Sequence, residues 1–184
     1  MRLLPNLLTL ARLALAPFVF HKIWAAEFRS ALWILAAAAF TDALDGFLAR
    51  RFGWTSGPGA ILDPIADKVL LSGVYLTMGV TGDVPLWLVG IIVVRDLLLV
   101  TGAAIGRRAF GMKAFPPSWL GKISTIVQIF TAVLVLTDRA LPQASLIQHL
   151  NFFYWLTAAM AVLSGAHYYW RGWRELSARR SAAA

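Results

Sequence analysis

The chain has 184 residues, of which 59% are hydrophobic and 14% charged, an apolar share above the roughly 45–50% of ordinary globular domains. No cysteine is present, which excludes disulfides, thiolate metal ligands and a cysteine nucleophile, so a metal here is held by oxygen or histidine. The 17 Lys and Arg against 9 Asp and Glu give a net charge of +8, and nucleic-acid binding is set aside once the positions of those charges are read.

Apolar runs recur along the whole chain and leave no room for a sizeable soluble domain, so we expect an all-α integral membrane protein forming a single domain over 1–184. Hydropathy predicts six transmembrane helices, at 7–24, 31–49, 60–80, 86–105, 120–137 and 151–169. The first run follows Arg2, but Pro5, Asn6 and Arg12 interrupt it and no clean cleavage site follows, so it reads as a retained helix rather than a signal peptide. The second ends in Asp42, Asp45, Gly46 and Ala49, and Gly53 with Gly57-Pro58-Gly59 separates it from the third. Asp63 and Asp67 open the third, where Pro64 predicts either a later start or a bend. Gly82 and Pro85 precede the fourth, which holds Arg95 and Asp96; Pro116-Pro117 precede the fifth, which opens near Lys122. Trp170 and Trp173, beside Tyr168 and Tyr169, form an interfacial belt at the end of the last.

Under this topology Arg2, Arg50, Arg51, Arg107, Arg108, Lys113, Arg171, Arg174, Arg179 and Arg180 share one side, against Lys22, Arg29 and Arg139 on the other. The bias predicts both termini, and the link between the second and third helices, in the cytoplasm. The positive charge then reads as orientation and attraction to anionic headgroups, with membrane lipids and not nucleic acid as partners. His21, His149 and His167 are widely spaced and read as interfacial residues rather than metal ligands.

Four aspartates flank that link. Asp42, Asp45, Gly46 and Ala49 fall at i, i+3, i+4 and i+7 on one helix, and Gly59, Asp63 and Asp67 recur at i+4 on the next, so both carboxylate pairs can converge at the cytoplasmic side. An ionised Asp at mid-bilayer costs ~2.5 to 3.5 kcal/mol. Arg50, Arg51 and Lys68 offer a structural ion-pair network as one answer; divalent cations, which prefer oxygen ligands, are the other. The small residues Gly46, Ala49 and Gly59 serve equally as helix-packing contacts.

From Asp42 to Asp67 these residues read D-x2-D-G-x2-A-R-x8-G-x3-D-x3-D. The pattern resembles the signature of the CDP-alcohol phosphatidyltransferase family, with no departure at its eight fixed positions. Elsewhere "PNLLTLARLALAPF", "VVRDLLLVTG" and "SWLGKISTIVQ" are similar to the branch of phosphatidylglycerophosphate synthases and eukaryotic-type cardiolipin synthases.

The resemblance implies attack of a hydroxyl on the phosphatidyl phosphorus of CDP-diacylglycerol with release of CMP. It implies sn-glycerol 3-phosphate as the favoured glycerol-type acceptor, with phosphatidylglycerol, and hence cardiolipin synthesis, as the alternative. It also implies Mg2+ or Mn2+, two ions, on Asp42, Asp45, Asp63 and Asp67, with Asp67 as general base. Asp42, Gly46, Arg50, Ser56 and Gly59 match the cytidine diphosphate site. Asn6, Thr9 and Arg12 approach the nucleotide or headgroup, with caps or helix-packing groups as the competing reading for Asn6 and Thr9. An anionic acceptor needs cations, for which Arg51, Arg95 and Lys122 are candidates; Arg95 pairing with Asp96, and Lys122 snorkelling to the interface, are the competing readings. Fold analogy implies a homodimer, and the setting is a multi-pass protein of a bacterial-type inner membrane with a cytoplasmic active site. A cation or proton transporter is the rival from another class, because buried Asp and Arg also mark ion pathways. An intramembrane prenyltransferase is a second enzyme rival, which the glycine and Ala49-Arg50 spacing disfavours.

Overall fold

A computed structural model describes the backbone of residues 4–52, 59–110, 118–141 and 147–183, and the side chains of 10–41, 66–102, 118–141, 149–175 and 177. It contains six helices: α1 (Leu4–Trp24), α2 (Phe28–Phe52), α3 (Gly59–Val80), α4 (Leu86–Phe110), α5 (Trp119–Ala140) and α6 (Ile147–Ala183). No strand occurs among the described residues. Each expected helix is present, and all six run longer than the apolar stretch that announces them. Hydropathy marks where a segment stops being lipid-soluble, whereas the helix continues while good helix formers follow, as in "RELSARR" of α6. α3 starts at Gly59, so Pro64 does not delay it and falls instead in its second turn. Among the described residues, one helix, α5, is long and apolar enough by length and composition to cross a membrane.

The chain divides into two compact units, residues Met1–Leu86 with Ala132–Leu146, and Trp87–Thr131 with Ile147–Ala184. In the first, α1 packs on both α2 and α3. Its buried stripe is Arg12, Ala16, Val19 and Ile23, spaced i, i+4, i+7 and i+11, as one face of a helix requires. On α2 the matching stripe is Ala31, Leu35 and Ala38; two alanines there allow close approach of the backbones. The Phe20 ring lies over Gly73, where an added Cβ would come 2.1 Å from Phe20 Cζ.

α3 ends in a Schellman turn. Asp83 N donates to Met78 O at 2.8 Å and Gly82 N to Gly79 O at 3.3 Å, with Gly82 at φ 82°, a conformation that a side chain disfavours. Arg139 then pairs with Asp83 at 2.9 Å, and Arg29 Nε donates to Ala140 O at 3.2 Å. In the α1–α2 turn Lys22 donates to Glu27 at 2.6 Å and holds that exposed carboxyl below its ordinary range.

The second unit buries polar side chains among apolar ones. α4 contributes Leu88, Ile92 and Arg95, α5 contributes Ser124, Gln128 and Thr131, and α6 contributes Tyr154, Thr157, Ala161 and Ser164. Thr131 and Thr157 share a hydrogen bond of 2.8 Å between α5 and α6. Small and hydroxyl-bearing residues suit helix contacts in lipid, where burying apolar surface supplies little drive and packing and hydrogen bonds supply more. Trp87 and Trp155 stack with ring centroids 4.7 Å apart, and Phe130 and Phe153 meet at 5.3 Å.

Candidate active site

α2 is helical through Asp42, Asp45, Gly46, Arg50 and Arg51, and α3 from Gly59 through Asp63 to Asp67, so the i+3 and i+4 spacings within each group hold along a continuous backbone. The side chains of Asn6, Thr9, Asp42, Asp45, Arg50, Arg51 and Asp63, and all of Ser56, lie outside the described residues. Among the described residues no group of three His, Asp or Glu side chains converges.

Asp67 is described, and its environment is asymmetric. Arg12 Nη1 donates to Asp67 Oδ1 from α1 to α3, and the side chain of Arg12 is 2% exposed against 49% for Asp67. A guanidinium remains charged wherever it is buried, so a carboxylate partner is the group that offsets its desolvation. α1 thus presents a fixed cation to the last aspartate of the signature and leaves about half of that carboxylate open. Arg12, expected near the nucleotide or headgroup, is paired with Asp67 in the structure. The available signal was spacing, since Arg12 falls on the Ala16, Val19 and Ile23 stripe.

Arg95 forms a second polar centre, in the other unit. Its Nη1 donates to Asp96 Oδ1 at 2.7 Å and its Nη2 to Ser164 Oγ at 2.8 Å. The pairing with Asp96 considered from sequence is therefore present. Arg95 is 7% exposed, and its buried Nε has no partner among the described residues. Ser118 caps α5, its Oγ accepting from Gly121 N at 3.0 Å, as expected of an N-cap serine bonding to the third helical residue. A Cβ on Gly121 would stand 3.2 Å from Ser118 Oγ, 3.7 Å from Ser164 Oγ and 3.9 Å from Arg95 Nη2. The absence of a side chain at Gly121 lets the N-terminus of α5 pack closely against two hydroxyls and a guanidinium, and a helix N-terminus beside a cation favours an anion nearby. Lys122 is exposed one residue further on. Ser118 and Ser164 were not singled out from sequence, because an isolated serine in an apolar run carries no pattern.

The sequence model of the CDP-alcohol phosphatidyltransferase family matches residues 2–165. A probable phosphatidylglycerophosphate synthase of Mycobacterium tuberculosis is 34% identical over 189 residues, covering 98% of this chain and 86% of that protein. A chloroplastic CDP-diacylglycerol–glycerol-3-phosphate 3-phosphatidyltransferase 1 of Oryza sativa is 31% identical over 182 residues, covering 90% of this chain and 55% of that protein. A cardiolipin synthase (CMP-forming)/mitochondrial hydrolase fusion protein of Schizosaccharomyces pombe is 32% identical over 180 residues, covering 90% of this chain. The chain spans 30% of the length of that fusion protein. The chain belongs to the CDP-alcohol phosphatidyltransferase family, a membrane-embedded enzyme family that uses divalent metal ions.

Proposed function

We propose that the chain transfers the phosphatidyl group of CDP-diacylglycerol to sn-glycerol 3-phosphate. The acceptor hydroxyl oxygen bonds to the phosphatidyl phosphorus, the bond from that phosphorus to the CMP oxygen breaks, and CMP leaves. The hydroxyl proton passes to the Asp67 carboxylate, whose half-open position suits a group that must meet a substrate. Arg12 holds that carboxylate in one orientation, so the hydroxyl does not have to meet a rotating base. Asp42, Gly46, Arg50, Ser56 and Gly59 hold the cytidine diphosphate, with Asn6 and Thr9 contributing from α1.

The donor set fits a hard divalent cation, being all oxygen with two aspartate pairs at same-face spacing on continuous helices. Asp42, Asp45, Asp63 and Asp67 would hold Mg2+ or Mn2+, as two ions. Such a cation, when bound, neutralises the diphosphate and stabilises charge on the leaving phosphate.

The observation that carries the acceptor assignment is the Arg95 centre. The phosphate of glycerol 3-phosphate is a dianion, and the buried guanidinium with a spare Nε, the Ser118 and Ser164 hydroxyls and the α5 N-terminus supply cationic and donor groups for it. Lys122, one residue beyond Gly121, and Arg51, taken from the sequence alone, are the other cations proposed for the acceptor. The membrane setting is read as six spans with both termini and the active site cytoplasmic, in a bacterial-type inner membrane, and the protein as a homodimer. These rest on loop charge and family analogy.

A cardiolipin synthase reading, with phosphatidylglycerol as acceptor, is favoured by the similarity to the Schizosaccharomyces pombe protein. The test is to give purified protein CDP-diacylglycerol with either acceptor and weigh the lipid product. Phosphatidylglycerophosphate from glycerol 3-phosphate supports the first reading, cardiolipin from phosphatidylglycerol the second. Ion flux with neither product would favour a transporter.

A further inference from the structure

We propose that an open groove on the second unit, lined by Trp119, His167, Trp170, Arg171, Arg174 and Glu175, binds the phosphate headgroup of an anionic phospholipid from the surrounding leaflet. The groove encloses about 580 Å³, within the range of small-molecule sites. None of its residues belongs to the family signature or to the acceptor centre described above.

Three observations support this occupant. The first is position. α6 has 37 residues and so is about 55 Å long, whereas a bilayer core is roughly 30 Å thick. The apolar stretch at 151–169 accounts for the core, and the groove residues of α6 begin at its end, where the headgroup layer lies. Trp119 at the start of α5 is 75% exposed and Trp170 is 54% exposed; amphipathic rings of this kind gather at that depth.

The second is charge. Arg171 and Arg174 outnumber Glu175, and the Arg174 guanidinium lies over the Trp170 ring, 4.8 Å from its centroid. That cation–π contact holds the guanidinium near the ring while its N–H edge remains the part that recognises phosphate. The third is His167, whose Nδ1 is buried without a partner among the described residues while its ring lies 6.0 Å from that of Trp170. A phosphate oxygen is an acceptor that Nδ1–H can satisfy, and a ligand removes the cost of leaving that atom unpaired. A zwitterionic lipid offers the same phosphate with its charge cancelled by an ammonium-type cation, so a lipid of net negative charge is favoured beside two arginines.

The test is native mass spectrometry of the full chain, delipidated in detergent and titrated without CDP-diacylglycerol. The probes are dioleoylphosphatidylserine, which is not a glycerol-type acceptor, and dioleoylphosphatidylcholine. Wild type should retain phosphatidylserine preferentially. R171Q/R174Q should bind it ~10- to 30-fold more weakly, since each basic residue near a charged lipid surface is worth on the order of a fivefold change. R174K keeps the charge without the flat stack and should fall between. E175Q removes the groove's carboxylate and should bind more tightly than wild type, an outcome that misfolding cannot imitate. Millimolar inorganic phosphate should not displace the lipid, because acyl chains add to its hold. Saturated turnover of R171Q/R174Q should match wild type. The proposal is overturned if R171Q/R174Q retains phosphatidylserine as wild type does, if E175Q binds no tighter, if free phosphate displaces the lipid, or if the folded double variant loses turnover, which would place the groove in the substrate path.

Discussion

Arg12 on α1 is buried and donates to Asp67 on α3, whose carboxylate is half-exposed. The two partners therefore respond differently to substitution, and the difference separates structure from chemistry. Asp67→Asn keeps an oxygen that Arg12 can donate to but cannot take up a hydroxyl proton at neutral pH. Phosphatidyl transfer should fall by ~10² to 10⁴, the usual worth of general acid–base catalysis, and the thermal midpoint in detergent should fall modestly, because Arg12 keeps a hydrogen-bond acceptor but loses its compensating charge. Asp67→Ala also removes the acceptor beside a buried guanidinium, and should lower stability by about 1–3 kcal/mol as well. Equal melting of the two variants, or near-normal turnover of Asp67→Asn, would contradict this division of roles.

Removal of divalent cations should stop the reaction reversibly. In the proposed site, four carboxylates would repel a diphosphate until their charge is neutralised. Excess chelator should abolish CMP release, and added Mg2+ or Mn2+ should restore it. Full turnover in chelator would remove the metal assignment from Asp42, Asp45, Asp63 and Asp67.

The helices were legible because an apolar run of bilayer length has few other uses, and Gly53, Gly57-Pro58-Gly59 and Pro116-Pro117 divide the runs. Their ends were less so: nothing in the hydropathy of Trp170 to Ala183 distinguishes a continuing helix from a tail. The signature aspartates were legible as a motif, since fixed spacing over Asp42 to Asp67 survives in one dimension. The Arg12–Asp67 contact, 55 residues apart in sequence, was not. It depends on which faces of α1 and α3 meet, and Arg12 taken alone looks like an interruption of an apolar run. Ser118 and Ser164 acquire meaning only once α4, α5 and α6 bring them near Arg95 and Gly121.

Arg95 should influence the acceptor more than the nucleotide lipid. Loss of charge-assisted hydrogen bonds worth about 1.5–3 kcal/mol corresponds to a change of roughly 10- to 150-fold. Arg95→Gln should therefore raise the KM for glycerol 3-phosphate by that order while the KM for CDP-diacylglycerol changes little. Arg95→Lys should recover part of the loss. If Arg95 only ties α4 to α6 through Ser164, Arg95→Gln will lower the melting midpoint and leave both KM values alone.

The loop charges predict sidedness that the absence of native cysteine makes simple to read. Single cysteines replacing Ser56 and Ser181 should react with an impermeant maleimide only from the cytoplasmic side, and one replacing Gln143 only from the opposite side. Labelling of the Ser56 and Gln143 positions from the same side would overturn the six-span topology.

The central claim is direct phosphatidyl transfer from CDP-diacylglycerol to an acceptor hydroxyl, and the stoichiometry of CMP tests it most directly. Purified wild-type protein with CDP-diacylglycerol and a divalent cation should release little CMP until glycerol 3-phosphate is added. It should then release one CMP for each phosphatidylglycerophosphate formed, because the bond to CMP breaks as the bond to the acceptor oxygen forms. CMP released at the same rate without acceptor, with phosphatidic acid as the lipid product, would show transfer to water and contradict the account.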